Sequence, residues 1–205
     1  KQIVEIQKIV KKYDKNAIVA GEGPLMNDLT AIADHDFKMV NYASILVIFV
    51  LMLCVLKSFS LPFILIFTIE FAIFLNMAIA YYSGVTLPFI ASIVVGTIQL
   101  GATIDYAILM STKYLEERMK NSKKEDMKMT LSQTVPSILV SALCFFAATF
   151  GVAIYSKIDM IGSICNLLSR GAIISMFVVM LLLPALLLLF DHVIMKTTKN
   201  MKEAK

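Results

Sequence analysis

Residues 87–112 read LPFIASIVVGTIQLGATIDYAILMST, an apolar run interrupted by a single charge, Asp105. A helix rises 1.5 Å per residue, so about 20 such residues cross a bilayer, and this segment is long enough. Four further apolar segments flank it, at about 40–56, 62–83, 134–156 and 162–190, each near or above the same length. Their breaks have local causes. Lys57-Ser58-Phe59-Ser60 with Pro62 separates the first two, and Ser83-Gly84 with Pro88 separates the second from the third. The reading is a helical membrane domain of five spans over 40–192.

Composition agrees. The chain has 205 residues, 59% of them hydrophobic, and a mean hydropathy of +0.80, whereas soluble domains are about half apolar. A net charge of +4 raises the question of nucleic acid, but the lysines lie in short segments beside the spans and are not interleaved with aromatics, so no nucleic-acid partner is expected. Cys54, Cys144 and Cys165 sit in or beside apolar runs with neither metal-ligand spacing nor a disulfide framework, and read as packing residues. No metal or cofactor is expected.

Residues 1–39 are the sizeable polar stretch. Ile3, Ile6, Val10 and Tyr13 recur at helical spacing, a β-like run Ala17–Ala20 follows, then the turn Gly21-Glu22-Gly23-Pro24 and a polar helix from about Leu25 to Lys38. This order predicts the remnant of an α/β extracytoplasmic domain. Basic residues set the orientation of the spans. Lys57, a loop at 113–133 holding Lys113, Arg118, Lys120, Lys123, Lys124 and Lys128, and the tail 193–205 with four lysines fall on one side, while the short loops opposite hold only Lys157. The basic side is therefore expected to be cytoplasmic and residues 1–39 outside. An external N-terminus before five spans, in a chain that begins at Lys1, is read as a cut end.

Glu70 and Asp105 are the acidic residues within these segments. Each costs about 2.5–3.5 kcal/mol at a helix centre and so implies a use. Counted from Pro62 and Lys113, both lie about 12 Å from the cytoplasmic boundary, and Ser141 of the fourth segment lies near that depth. A buried carboxyl with no fixed cation resists ionisation, which lets it load a proton from one side and release it to the other. Asp105 is the candidate carrier, with Glu70 and Ser141 as possible members of the path. Arg170, about 31 Å from the cytoplasmic edge, is too distant to pair with Asp105 directly. Small residues suit close helix contacts: Ser137, Ser141, Cys144, Ala148 and Gly151 form one stripe, Thr97, Gly101 and Asp105 form a row, and Gly96 lies about 180° from Asp105.

The stretch Gly101-Ala102-Thr103-Ile104-Asp105-Tyr106, with Lys113, Tyr114 and Glu116-Glu117-Arg118 after it, resembles the fourth or tenth membrane helix of the resistance-nodulation-division (RND) superfamily, within it the mycobacterial-membrane-protein-large (MMPL) lipid exporters. Val19-Ala20-Gly21-Glu22-Gly23-Pro24 resembles that family's exit from its external porter domain, and Leu181-Leu182-Leu183-Pro184-Ala185-Leu186-Leu187 the end of its sixth or twelfth helix. The resemblance implies two similar halves, of which this chain resembles the last part of the C-terminal one. It further implies that Asp105 carries protons, that Tyr106 donates to an acid of the opposite half, and that the missing partner is that other half or a homologous subunit. The implied activity is export of lipid or other hydrophobic or amphiphilic substrates across the bacterial cytoplasmic membrane, driven by protons and without enzymatic turnover. Competing readings are a sterol-sensing-like protein or a protein-export accessory subunit of the same fold. An intramembrane aspartyl protease fits poorly, because the order here is Asp-Tyr and the spans hold no second aspartate.

Overall fold

The computed structural model describes residues 2–14, 16–17, 19–84, 91–118 and 123–198. Seven helices are found among them: α1 Gln2–Tyr13, α2 Glu22–Leu56, α3 Ser60–Tyr82, α4 Ala91–Glu117, α5 Lys123–Tyr155, α6 Asp159–Leu189 and α7 Asp191–Thr197. The chain divides into two units, 1–40 and 41–205.

In the first unit the amphipathic pattern forms α1 as expected. Gly21, at φ 152°, makes the turn into α2, and its carbonyl accepts the Leu25 amide at 3.0 Å. The expected strand does not form at Ala17, Val19 or Ala20, and Ile18 lies outside the described residues. A lone extended segment leaves its peptide groups unpaired, and no described residue of this unit supplies a neighbouring strand. The α/β remnant is thus not found: the described residues of this unit form helices and the connection between them, with no strand.

The second unit is a multi-pass membrane bundle. Five helices are long and apolar enough to span: Asp36–Leu56, Ser60–Tyr82, Ala91–Glu117, Lys123–Tyr155 and Asp159–Leu189. They extend beyond the apolar windows at their polar ends. Residues 113–117 and 123–133, expected as loop, are helical, because Lys113 pairs with Glu116 and Thr130 and Thr134 bond back into their own helix.

Helix α6 packs on α3, α4 and α5 and is the hub. A lower hydrophobic cluster joins Leu61, Leu65, Leu100, Met110, Ile138 and Leu183, with Met52 and Leu56 contributed by α2. A smaller upper cluster joins Ala80, Ala91, Val95, Leu167 and Leu168. Hydroxyls within the helices are satisfied locally: Thr68, Thr97, Thr112 and Thr149 bond the carbonyl four residues back, as a medium without water requires. Pro62 falls in the first turn of α3, where its amide has no helical partner to lose. At the lower end the α2–α3 turn is fixed by Lys57 at φ 48°, by a bridge between Ser58 and Thr198, and by the Ser60–Thr197 hydroxyl pair at 2.7 Å.

Candidate functional site

Three polar sites occupy three levels of the bundle. At the lower end Asp191 opens α7 and is buried, 5% exposed. Tyr114 donates to its Oδ1 at 2.6 Å, Arg118 donates from Nε to Oδ1 at 3.0 Å and from Nη2 to Oδ2 at 3.2 Å, and Lys123 stands 3.8 Å from Oδ2. Arg118 also reaches Asp126, wholly buried on α5, at 3.6 Å. Burial opposes ionisation of Asp191, but the bonds from Arg118 and Tyr114 outweigh it and hold its carboxyl below the usual range. The bond to Asp191 likewise holds the Arg118 guanidinium above its ordinary value, against a smaller opposing effect of burial. One carboxylate thus ties the end of α4 and the start of α5 to α7. The sequence places Arg118 and Lys123 among the flanking basic residues and Tyr114 in the family-like motif, and gives Asp126 and Asp191 no role; the i, i+4 pair Tyr114 and Arg118, with an acid just past the last span, is the signal for the lock.

The middle level carries Asp105. Counted from Tyr114, it lies about 14 Å above the Asp191 level. Its side chain is on the outer surface of the bundle and makes no hydrogen bond or ion pair with any described residue. Tyr106, next along the helix, turns the other way and is 7% exposed in the lower core. Gly101, Ser137, Ser141, Cys144, Ala148 and Gly151 are likewise exposed. A Cβ added at Gly96, Gly101 or Gly151 meets nothing within 4 Å, so no described residue packs closely on them. The described residues therefore leave the small-residue stripe of α5, and Gly101 and Asp105 of α4, exposed.

Glu70 is placed differently. It is half-buried on α3, and its Oε1 is buried without a hydrogen bond. It borders an apolar hollow of 390 Å³ lined by Phe67, Phe71, Phe74, Leu75 and Ala78. No hydrogen bond joins it to Asp105, and the hollow it borders is lined by residues of α3 alone.

The upper level holds a buried network that the sequence reading missed. Asn76 of α3 donates from Nδ2 to Gln99 Oε1 of α4 at 2.8 Å and to the Leu167 carbonyl of α6 at 3.2 Å. Gln99 donates from Nε2 to Ser175 Oγ at 2.9 Å and the Gly171 carbonyl at 3.4 Å. Arg170 donates to Asn76 Oδ1 and to the Asn76 carbonyl, each at 3.0 Å. Gly171 is required here, because a Cβ would stand 2.6 Å from Gln99 Oε1 and 2.7 Å from Asn76 Nδ2. A scan for charges passes over Asn76 and Gln99; a scan for amides inside apolar segments finds both.

Among the described residues no group of three or more His, Cys, Asp or Glu is placed to hold a metal ion. Two relatives of this chain are a membrane protein of Streptomyces coelicolor named ActII-3, 25% identical over 167 residues, covering 79% of this chain and 23% of the relative, and a Mycobacterium leprae protein named as the transport protein MmpL4, 28% identical over 176 residues, covering 83% and 18%. The chain spans about a fifth of the length of these curated relatives. No solved structure matches it. The sequence profile of the MMPL family matches residues 1–204, nearly the whole chain and all five spans, so the chain belongs to the MMPL family.

Proposed function

We propose that this chain forms part of the membrane domain of a proton-driven exporter of lipid or other amphiphilic substrates, with Asp105 as the proton carrier. The observation that carries the reading is the position of Asp105: a carboxyl in mid-bundle, facing outward, with no partner among the described residues. Left against lipid it costs about 2.5–3.5 kcal/mol. Covered by another helical surface, it becomes a titratable group in a low-dielectric seam, where protonation and ionisation differ enough to be coupled to a conformational change. The exposed stripe of Ser137, Ser141, Cys144, Ala148 and Gly151 lets a second backbone approach closely. A second MMPL-type membrane half, from the same polypeptide or a homologous subunit, is the covering element of this proposal. Membership of the MMPL family and the name of the M. leprae relative support transport. The lower end, rich in lysine, faces the cytoplasm on this reading, and residues 1–39 lie outside.

The test is a vesicle assay on the intact protein containing this chain. An imposed pH gradient is expected to drive amphiphile movement, and a protonophore to stop it. Movement that continues unchanged with the protonophore present removes proton coupling from the account.

A further inference from the structure

The chain has two arginines, Arg118 and Arg170, and the structure treats them oppositely. Arg118 meets two carboxylates, Asp191 and Asp126. Arg170 meets neutral groups alone: both of its hydrogen bonds go to oxygens of Asn76. Those bonds use two of the five guanidinium N–H groups, leaving three without a partner among the described residues. No described carboxylate forms an ion pair with it. Asp159, at the upper start of the same helix, is about 16 Å away along the axis.

The surroundings fix this cation in place. Asn76 is held by Gln99 and by the Leu167 carbonyl, and Gln99 by Ser175 and the Gly171 carbonyl, so three helices orient the oxygens that hold Arg170. Residue counts from the lower end give about 24 Å for Asn76, about 22 Å for Gln99 and about 31 Å for Arg170. The hydrocarbon layer is about 30 Å thick, and a guanidinium bonded to Asn76 lies between the Asn76 and Arg170 counts, in the upper part of that layer just below the lipid head groups. A half-buried cation at that level is costly without an anion, and a planar fork of free N–H groups matches the paired oxygens of a phosphate or carboxylate.

We propose that Arg170, preoriented by Asn76, is a binding site for the phosphate or carboxylate head of a membrane amphiphile in the leaflet at the upper end of the bundle. The site is separate from Asp105 and does not depend on proton coupling.

Arginine-selective modification by phenylglyoxal, read by peptide mass spectrometry, tests this on the unmutated protein, with Arg118 as internal control. The intact protein is purified in non-ionic detergent, freed of phospholipid, and probed with phosphatidylglycerol, oleate, inorganic phosphate or neutral diacylglycerol. Phosphatidylglycerol or oleate at about ten times its dissociation constant is expected to slow modification of Arg170 about tenfold, since protection follows occupancy, with Arg118 and the diacylglycerol sample unchanged. Equal protection by inorganic phosphate at the same concentration keeps the anion site but moves its source from amphiphile to free phosphate. In native mass spectra Arg170→Gln should lose one bound phosphatidylglycerol. Absence of protection overturns the proposal. So does an Arg170 that is unreactive even in lipid-free protein, because a carboxylate elsewhere in the protein then already covers it.

Discussion

Tyr114 donates a 2.6 Å hydrogen bond to Asp191, 77 residues further along the chain, and so locks the lower end of α4 to α7. Arg118 completes the lock from the next turn of α4. Tyr114→Phe removes one bond to an ionised acceptor without changing shape, and an unfolding loss of about 1.5–3 kcal/mol is expected. Thermal unfolding in detergent measures it, and a variant as stable as the parent shows that the bond contributes nothing net.

The same lock has a signature in pH. Asp191 has a folded pKa below its unfolded one, so its contribution is fully present above the unfolded value of about 3.9 and is lost as pH falls through the lower folded value. Arg118 stays charged throughout. Stability of the parent is expected to fall on acidification below about pH 4, with Asp191→Asn showing a smaller fall over that window. Parallel curves for the two proteins contradict the assignment.

Gly171→Ala is expected to break the upper network. The new methyl group meets the amide ends of Gln99 and Asn76 well inside contact distance, and moving either one loses bonds among α3, α4 and α6. The expected loss is about 1–3 kcal/mol, whereas Gly101→Ala, with nothing within 4 Å of its added Cβ, should leave the stability of this bundle unchanged. Unfolding of the two variants side by side decides the matter.

Glu70→Gln separates the two membrane acids. Glu70 borders an apolar hollow on α3 and shares no hydrogen bond with Asp105, so proton-coupled movement should be reduced only in part or not at all. A loss as complete as that of Asp105→Asn places Glu70 on the proton path.

Much of this fold was legible because lipid leaves few options: uninterrupted apolar length and the Pro and Gly breaks locate the spans without tertiary information. The helix ends were not, since Lys113–Glu117 and Lys123–Gln133 are polar and continue as helix through local pairing that hydropathy does not register. The run Ala17–Ala20 has the composition of a strand, but pairing decides a strand and composition does not. Asp105 was found because a charge in hydrocarbon is conspicuous. Its direction was not readable, because Asp105 and Tyr106 differ by one helical step, and which of them faces the core depends on how α3, α5 and α6 pack. Asn76, Gln99 and Gly171 carry no charge, and their meeting point is set by three helices distant in sequence.

The most direct measurement is proton flux through the intact protein carrying Asp105→Asn, in vesicles with an imposed pH gradient and a pH-sensitive dye inside. Asn keeps the size and polarity of the side chain and removes the ionisable proton. The account predicts normal membrane insertion and abolished substrate-dependent proton movement. Flux at the parental rate in a correctly inserted Asp105→Asn protein contradicts it, and leaves Asp105 as a residue that only holds two helical surfaces together.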